Sequence, residues 1–150
     1  MIKIYIDTNY KGLKGKGEYG YYLEWEKDSE IKRTLGPDIL TIEDTRNRAF
    51  LKVAIEAIGR IAIKDPVKVY AACDYLVSSM SKRLPEFWFW QNWVKGNGDR
   101  VSNCDLWQEL LQVIKEKEIP DMEWIGGHHE HTEKIIRAIE KQYEKKTAPL

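Results

Sequence analysis

The side chains with chemical potential in this sequence fall into four places. The first is Asp7, which follows the alternating stretch Lys3–Ile6. An acid at a strand end is usually a turn former, because its carboxylate accepts from nearby backbone N–H groups. It can equally be one claw of a metal site if other acids reach the same point. The second place is "GGHHEH" (126–131), which holds all three histidines of the chain. His128, His129 and His131 with Glu130 could ligate Zn²⁺ or Ni²⁺. Adjacent residues rarely all face one ion, however, and no cysteine pair supports them, so a mobile polar loop is the expectation. The third is "FWFWQNW" (87–93), five aromatics in seven residues. Trp88, Phe89, Trp90 and Trp93 could stack on bases, with Asn92 and Lys95 beside them. Five rings exceed what one helix face buries, so Trp93 and at least one other are expected in the core and one or two rings outside. The fourth is a set of cationic patches: Lys11, Lys14 and Lys16 in a glycine-rich stretch, Lys82 with Arg83, and Lys95 and Arg100 around "GNG".

These groups need elements to hold them. Residues 2–8 and 18–26 read as strands, joined by the Gly/Lys loop, with Tyr21, Leu23 and Trp25 on one face. Residues 30–35 read as a third strand, stopped by Gly36-Pro37. Thr45 is a fair N-cap for a helix over 46–63, where Phe50, Ala54, Ala57, Ile58 and Ile61 recur at helical spacing. Asp65-Pro66 breaks it. "VKVYAA" (67–72) reads as a strand, and "DYLVSSM" begins a helix. Pro85 opens another in the first turn. Asp105 is placed to cap a helix carrying Leu106, Trp107, Leu110 and Ile114. "MEWI" (122–125) is a strand, and a last helix runs over 132–146 with Ile136, Ile139 and Tyr143 as its core stripe. Residues 145–150 are expected to fray. Three meander strands followed by strand–helix–strand–helix predict an α/β domain, with the helix-linked strands parallel.

Composition bounds the rest. The 150 residues suit one domain, 1–150, and are 43% hydrophobic and 32% charged. No apolar run approaches the ~20 residues of a membrane span. Two cysteines, Cys73 and Cys104, suggest a reducing cytoplasm rather than a disulfide scaffold. Basic and acidic residues balance at 24 each, so nucleic-acid binding could not rest on bulk charge and would depend on salt-sensitive local patches.

Five motifs in order resemble type 1 ribonuclease H. "IYIDTNYKG…GEYGYYLEW" looks like its opening hairpin, and "TRNRAFL" like its Asn-Arg-x-Glu-Leu helix start. "VYAACDYLV" is similar to its Thr-Asp-Ser-x-Tyr strand end. "FWFWQNWVKGNG…NCDLWQELL" resembles its Trp-rich handle and Asp-Leu-Trp helix, and "MEWIGGHHEH" its Trp-Val-x-Gly-His loop. The resemblance spans almost the whole chain. It implies an RNase H-like α/β fold: a five-stranded mixed sheet, three antiparallel strands then two parallel, with helices on both faces. It also implies cleavage of the RNA in RNA/DNA hybrids by two Mg²⁺ ions held by four carboxylates, since paired dications need several anionic oxygens.

Carried over position by position, only Asp7 keeps its acid. The helix glutamate falls on Phe50. The strand-end aspartate falls on Ala72 with Tyr75 in register, and the last acid on Ala138 with His128 in register. His128 matches the family's mobile histidine. Asp74 could substitute from two residues away, or be a first-turn acid favoured by the helix dipole. Glu133 and Glu140 do not stack on position 138, whereas Lys134, Lys141 and Gln142 do. The resemblance places Arg46 and Asn47 on the hybrid backbone, Lys11, Lys14 and Lys16 in the first-hairpin loop, and Phe89, Asn92, Trp93 and Lys95 near the DNA strand.

The expectation is a nucleic-acid-binding domain with a degenerate site. Asp7, Asp74 and His128 would be vestiges of the catalytic set, with at most one weak Mg²⁺ or Mn²⁺ at Asp7. An active ribonuclease with rearranged acids, and a protein-interaction module, stay open beside it. The expected partner is an RNA/DNA hybrid or duplex, with a protein partner open and no membrane.

Overall fold

The computed structural model describes residues 1–27 and 31–147. Five strands form one mixed sheet in the order β3-β2-β1-β4-β5: β1 (Ile2–Thr8), β2 (Lys14–Lys27), β3 (Ile31–Thr45), β4 (Val67–Ala71) and β5 (Met122–Gly126). β1, β2 and β3 pair antiparallel, and β4 joins β1 and β5 in parallel. The helices are α1 (Arg46–Gly59), α2 (Asp74–Ser81), α3 (Leu84–Trp90), α4 (Cys104–Glu116) and α5 (Thr132–Thr147). This is the RNase H-like arrangement the motifs predicted.

Several boundaries differ from expectation, each for a local reason. β2 begins at Lys14, so half of the Gly/Lys stretch is strand, paired with the end of β3. β3 does not stop at Gly36-Pro37. Gly36 takes φ +93° beside the Tyr21 carbonyl at the register shift in β2, a conformation an L side chain resists, and the strand resumes to Thr45. The proposed strand residue Glu30 lies outside the described residues. Thr45 caps α1 by accepting from the Arg48 N–H at 3.2 Å, but α1 ends at Gly59, short of residue 63. Asn103, not Asp105, precedes α4; Asp105 sits in the first turn, where Arg48 grips it.

The two faces of the sheet are packed differently. Ile4 and Ile6 of β1 face a broad apolar core with Phe50, Leu51, Ala54 and Ile58 of α1, Leu76 of α2 and Trp107 and Leu110 of α4. Tyr5 points to the other face, where Tyr22, Ile135 and Ile139 are the buried apolar partners. The stripe of α5 is therefore Ile135 and Ile139; Ile136 is half-buried and Tyr143 exposed, contrary to the sequence reading. Gly20 explains the approach of this helix. A Cβ there would meet Ile135 Cγ2 at 2.5 Å, so only glycine lets α5 settle this low on β2. The helix continues to Thr147, past the point where fraying was expected; residues 148–150 lie outside the described residues.

Candidate active site

Asp7 and Gly20 are register partners, so the place where α5 descends on the sheet is also the place where Asp7 ends β1. The first residue of α5 meets the acid: Thr132 Oγ1 donates to Asp7 Oδ2 at 2.6 Å. His128 Nδ1 lies 3.1 Å from the same oxygen, and the Thr8 N–H donates to Oδ1 at 2.8 Å. Asp7 is wholly buried, and it lies at the positive end of α5. Both carboxylate oxygens thus have donors from the chain itself. This answers the first alternative raised by the sequence: Asp7 bonds the backbone N–H that follows it, as a turn former does.

The neighbouring positions carry no acid. Ala71 pairs with Ile6 and the Ala72 N–H reaches the Ile6 carbonyl at 3.4 Å, so Ala72 stands beside Asp7 where the resemblance expects an aspartate. Phe50 is fully buried, edge-on to Tyr19 with ring centroids 5.5 Å apart, and the Arg46 guanidinium lies 5.1 Å above its ring. Ala138 is half-buried on α5. Asp74 opens α2, exposed, with Oδ1 3.6 Å from the point a Gly126 Cβ would occupy, which directs it to the end of β5. Glu133 pairs with Arg137 along its own helix. Lys134 leaves the Ala138 corner and lies 4.3 Å above the Tyr22 ring. Cys73 separates Ala72 from α2; its Sγ faces Asn47 Oδ1 at 3.7 Å, and burial pushes its thiol up.

The histidine loop is tethered to the sheet. His128 remains exposed, but the His129 side chain is only 2% exposed, with Nε2 3.3 Å from the Ile6 carbonyl. Burial pulls its pKa down. Glu130 accepts from Tyr5 Oη at 2.8 Å, and His131 Nε2 lies 2.7 Å from Glu24 Oε1. Glu24 is itself buried on β2 and was missed by the sequence reading. Its only signal there was an acid alternating with tyrosine and tryptophan on a strand. Among the described residues, Glu24, Glu130 and His131 are the one group of three such side chains whose ligating atoms all lie within 4.8 Å of each other.

The expected nucleic-acid contacts are divided. Lys11, Lys14, Lys16, Asn47, Asn92 and Lys95 are exposed. Arg46 is half-buried and donates to the Tyr10 carbonyl, which ties it to the first hairpin. Phe89 and Trp90 are 56% and 78% exposed, and Phe87 joins them, so three rings stand outside rather than one or two. Trp93 is core, not contact. Successive positive φ angles at Asn92 and Trp93 turn the chain after α3 and carry the indole inward. Trp88 packs on Trp107 at 5.9 Å.

The sequence profile of the family described as RNase H matches residues 1–138. A protein named Ribonuclease H from Caldanaerobacter subterraneus subsp. tengcongensis is 34% identical over 137 residues, covering 87% of this chain and 82% of that one. Among solved structures, LC9-RNase H1, described as a type 1 RNase H with the type 2 active-site motif, has a TM-score of 0.67 at 22% identity, covering 99% of this chain and 81% of its own. LC11-RNase H1, solved in complex with an RNA/DNA hybrid, has a TM-score of 0.60 at 17% identity and covers 95% of this chain and 99% of its own. At these identities the two structures speak to the fold.

Proposed function

We propose, from the premise that this chain belongs to the RNase H family, that it is a single nucleic-acid-binding domain of that family whose two-metal ribonuclease site has degenerated. The observation that carries this is the state of Asp7: buried, saturated by Thr8, Thr132 and His128, and flanked by Ala72 where a second acid would be needed. Two hard dications side by side demand several anionic oxygens. At the four matched positions, Asp7, Phe50, Ala72 and Ala138, this chain offers one carboxylate. Those residues do not fit a pair of Mg²⁺ ions, and no hydrolytic step is assigned to them.

Binding rests on other residues. Lys11, Lys14 and Lys16 line the start of β2, Asn47 is exposed at the start of α1, and Phe89, Asn92 and Lys95 project from the end of α3 and the turn after it. The relative solved with an RNA/DNA hybrid has the same fold, which supports a hybrid as the ligand. Phosphate contacts from lysines give affinity that falls with salt, and exposed rings add stacking.

A second reading, a working ribonuclease with rearranged acids, is favoured by one observation: Asp7 and His128 are both kept and lie 3.1 Å apart, in a chain whose curated relatives are named Ribonuclease H.

The test is a labelled RNA/DNA hybrid incubated with the pure protein in Mg²⁺ and in Mn²⁺. The proposal expects no cleavage. It expects binding that weakens about tenfold or more between 50 and 200 mM salt and weakens again in Lys14→Glu. Cleavage that disappears in Asp7→Asn would establish the second reading instead.

A further inference from the structure

We propose that Glu24, Glu130 and His131 form a binding site for one borderline divalent metal ion, Zn²⁺ foremost, on the face of the sheet beneath α5. The site is separate from the carboxylate at Asp7 and does not depend on the function proposed above.

Three observations converge. The first is proximity. The ligating atoms of all three side chains lie within 4.8 Å of one another. Tetrahedral ligands about 2.0–2.2 Å from one Zn²⁺ stand about 3.3–3.6 Å apart, so a pair at that limit must close by about 1 Å. The residues come from β2 and from the loop before α5, more than 100 positions apart, so the grouping is a product of the fold.

The second is unmet polarity. Glu24 is 94% buried (6% exposed), and its Oε1 and the His131 Nε2 are buried atoms that make no correctly directed hydrogen bond, although they stand 2.7 Å apart. At 2.7 Å only a proton fits between these two atoms, and a metal ion would take its place by drawing them apart to about 3.4 Å. Lys32 Nζ reaches Glu24 Oε1 at 2.9 Å as an ion pair, from a side chain that is 53% exposed and can withdraw. With that ammonium withdrawn, the buried Glu24 carboxylate would accept another cation.

The third is preorganisation. His131 is clamped edge-on to Tyr5 at 4.5 Å and against Tyr22 at 4.7 Å. Tyr5 Oη donates to Glu130 Oε1 and stands 3.3 Å from Glu24 Oε2, the outer-sphere support that metal-bound carboxylates receive. One imidazole and two carboxylates suit Zn²⁺ or Co²⁺ better than Mg²⁺, which prefers oxygen and water.

The experiment is a titration of the chelator-stripped full chain with ZnCl₂ by calorimetry and with CoCl₂ by visible absorption. The expected result is one saturable equivalent, with the intense d–d bands of low-coordinate Co²⁺. His131→Asn and Glu24→Gln should each weaken binding more than about 100-fold, and Tyr5→Phe about tenfold. Lys32→Ala should tighten it about twofold to fivefold by removing the competing cation. His128→Asn, which changes an exposed histidine of the same loop, should leave it unchanged. Circular dichroism checks each fold, and His131→Asn, at a partly exposed position, stands in if Glu24→Gln does not fold. Absence of saturable binding below about 1 mM metal overturns the proposal. So does binding that survives Glu24→Gln, or that is lost in His128→Asn, because either result would mean simple chelation by the loop histidines.

Discussion

The two faces of the sheet solve the problem of burial in opposite ways. Toward α1 and α4, β1 presents Ile4 and Ile6 to a continuous apolar core, and charges stay at the rim, where Arg48 ties Asp44 of β3 to Asp105 of α4. Toward α5, the same strand presents Tyr5 and Asp7 to a thin layer in which, among the described residues, Tyr22, Ile135 and Ile139 are apolar and buried, Ile39 and Tyr70 pack beside them, and carboxylates and histidines adjoin. The first face is secured by area removed from water. The second is secured by hydrogen bonds and ion pairs among groups that have left water. The difference teaches where acids can be held: the buried centre of the apolar face carries none among the described residues, while the polar face buries Asp7 and Glu24.

The sharpest way to break this contrast is to place acids at the matched positions. Phe50→Glu places a carboxylate at a fully buried position and removes a ring packed on Tyr19 and Arg46. It should cost at least about 3–5 kcal/mol in urea unfolding, or prevent folding. Ala72→Asp, at a half-buried strand end, should cost only about 1 kcal/mol. Both positions adjoin the apolar core, so equal losses would mean that depth of burial does not set the cost of an acid there.

A smaller effect tests the polar face. Tyr5→Phe keeps the ring but deletes the hydroxyl that serves Glu130 and approaches Glu24, and should cost about 1–3 kcal/mol by the same measurement. A neutral result would mean that water or Lys32 replaces the hydroxyl without loss.

The smallest effect lies at the rim of the apolar face. Bonds from Lys52 and from Arg48 hold the carboxyls of Asp44 and Asp105, respectively, down to about 2, from an ordinary 3.8. A depressed folded pKa means that the unfolded chain takes up the proton first as pH falls. The stabilisation is therefore complete above about pH 4 and is lost between about pH 4 and pH 2. Arg48→Ala should flatten stability over that window. High salt should do so partly, because Asp105 is 62% exposed. A slope unchanged in Arg48→Ala would show that the Arg48 bonds contribute nothing measurable.

Much of the fold was legible in the sequence because hydrophobic period reports which face of an element is buried. Alternation in β1 and β2, the helical spacing of α1 and α4, and the Thr45 cap all describe contacts within a few residues of themselves. The third strand was cut short because Gly36-Pro37 reads locally as a stop, and only pairing with β2 shows that the chain continues past it. The stripe of α5 was misplaced by one residue for the same kind of reason: Ile135 and Ile136 are equal candidates until Gly20 opens the space that one of them fills. The histidine loop was read as mobile because its tethers, Ile6, Tyr5 and Glu24, lie far away in the chain.

By itself, the sequence determined the element order, the family motifs and the chemical inventory: one acid at the end of β1, alanine or phenylalanine at the three matched positions, and every histidine in one loop. Only the tertiary structure decided what those groups face. It turned the Asp7 carboxylate onto Thr132 and His128, and it brought Glu24 to Glu130 and His131. The physical reason is range. Side-chain type and periodicity are local properties, whereas a carboxylate's partner is set by how closely two distant backbones can approach, which here turns on a single missing Cβ at Gly20.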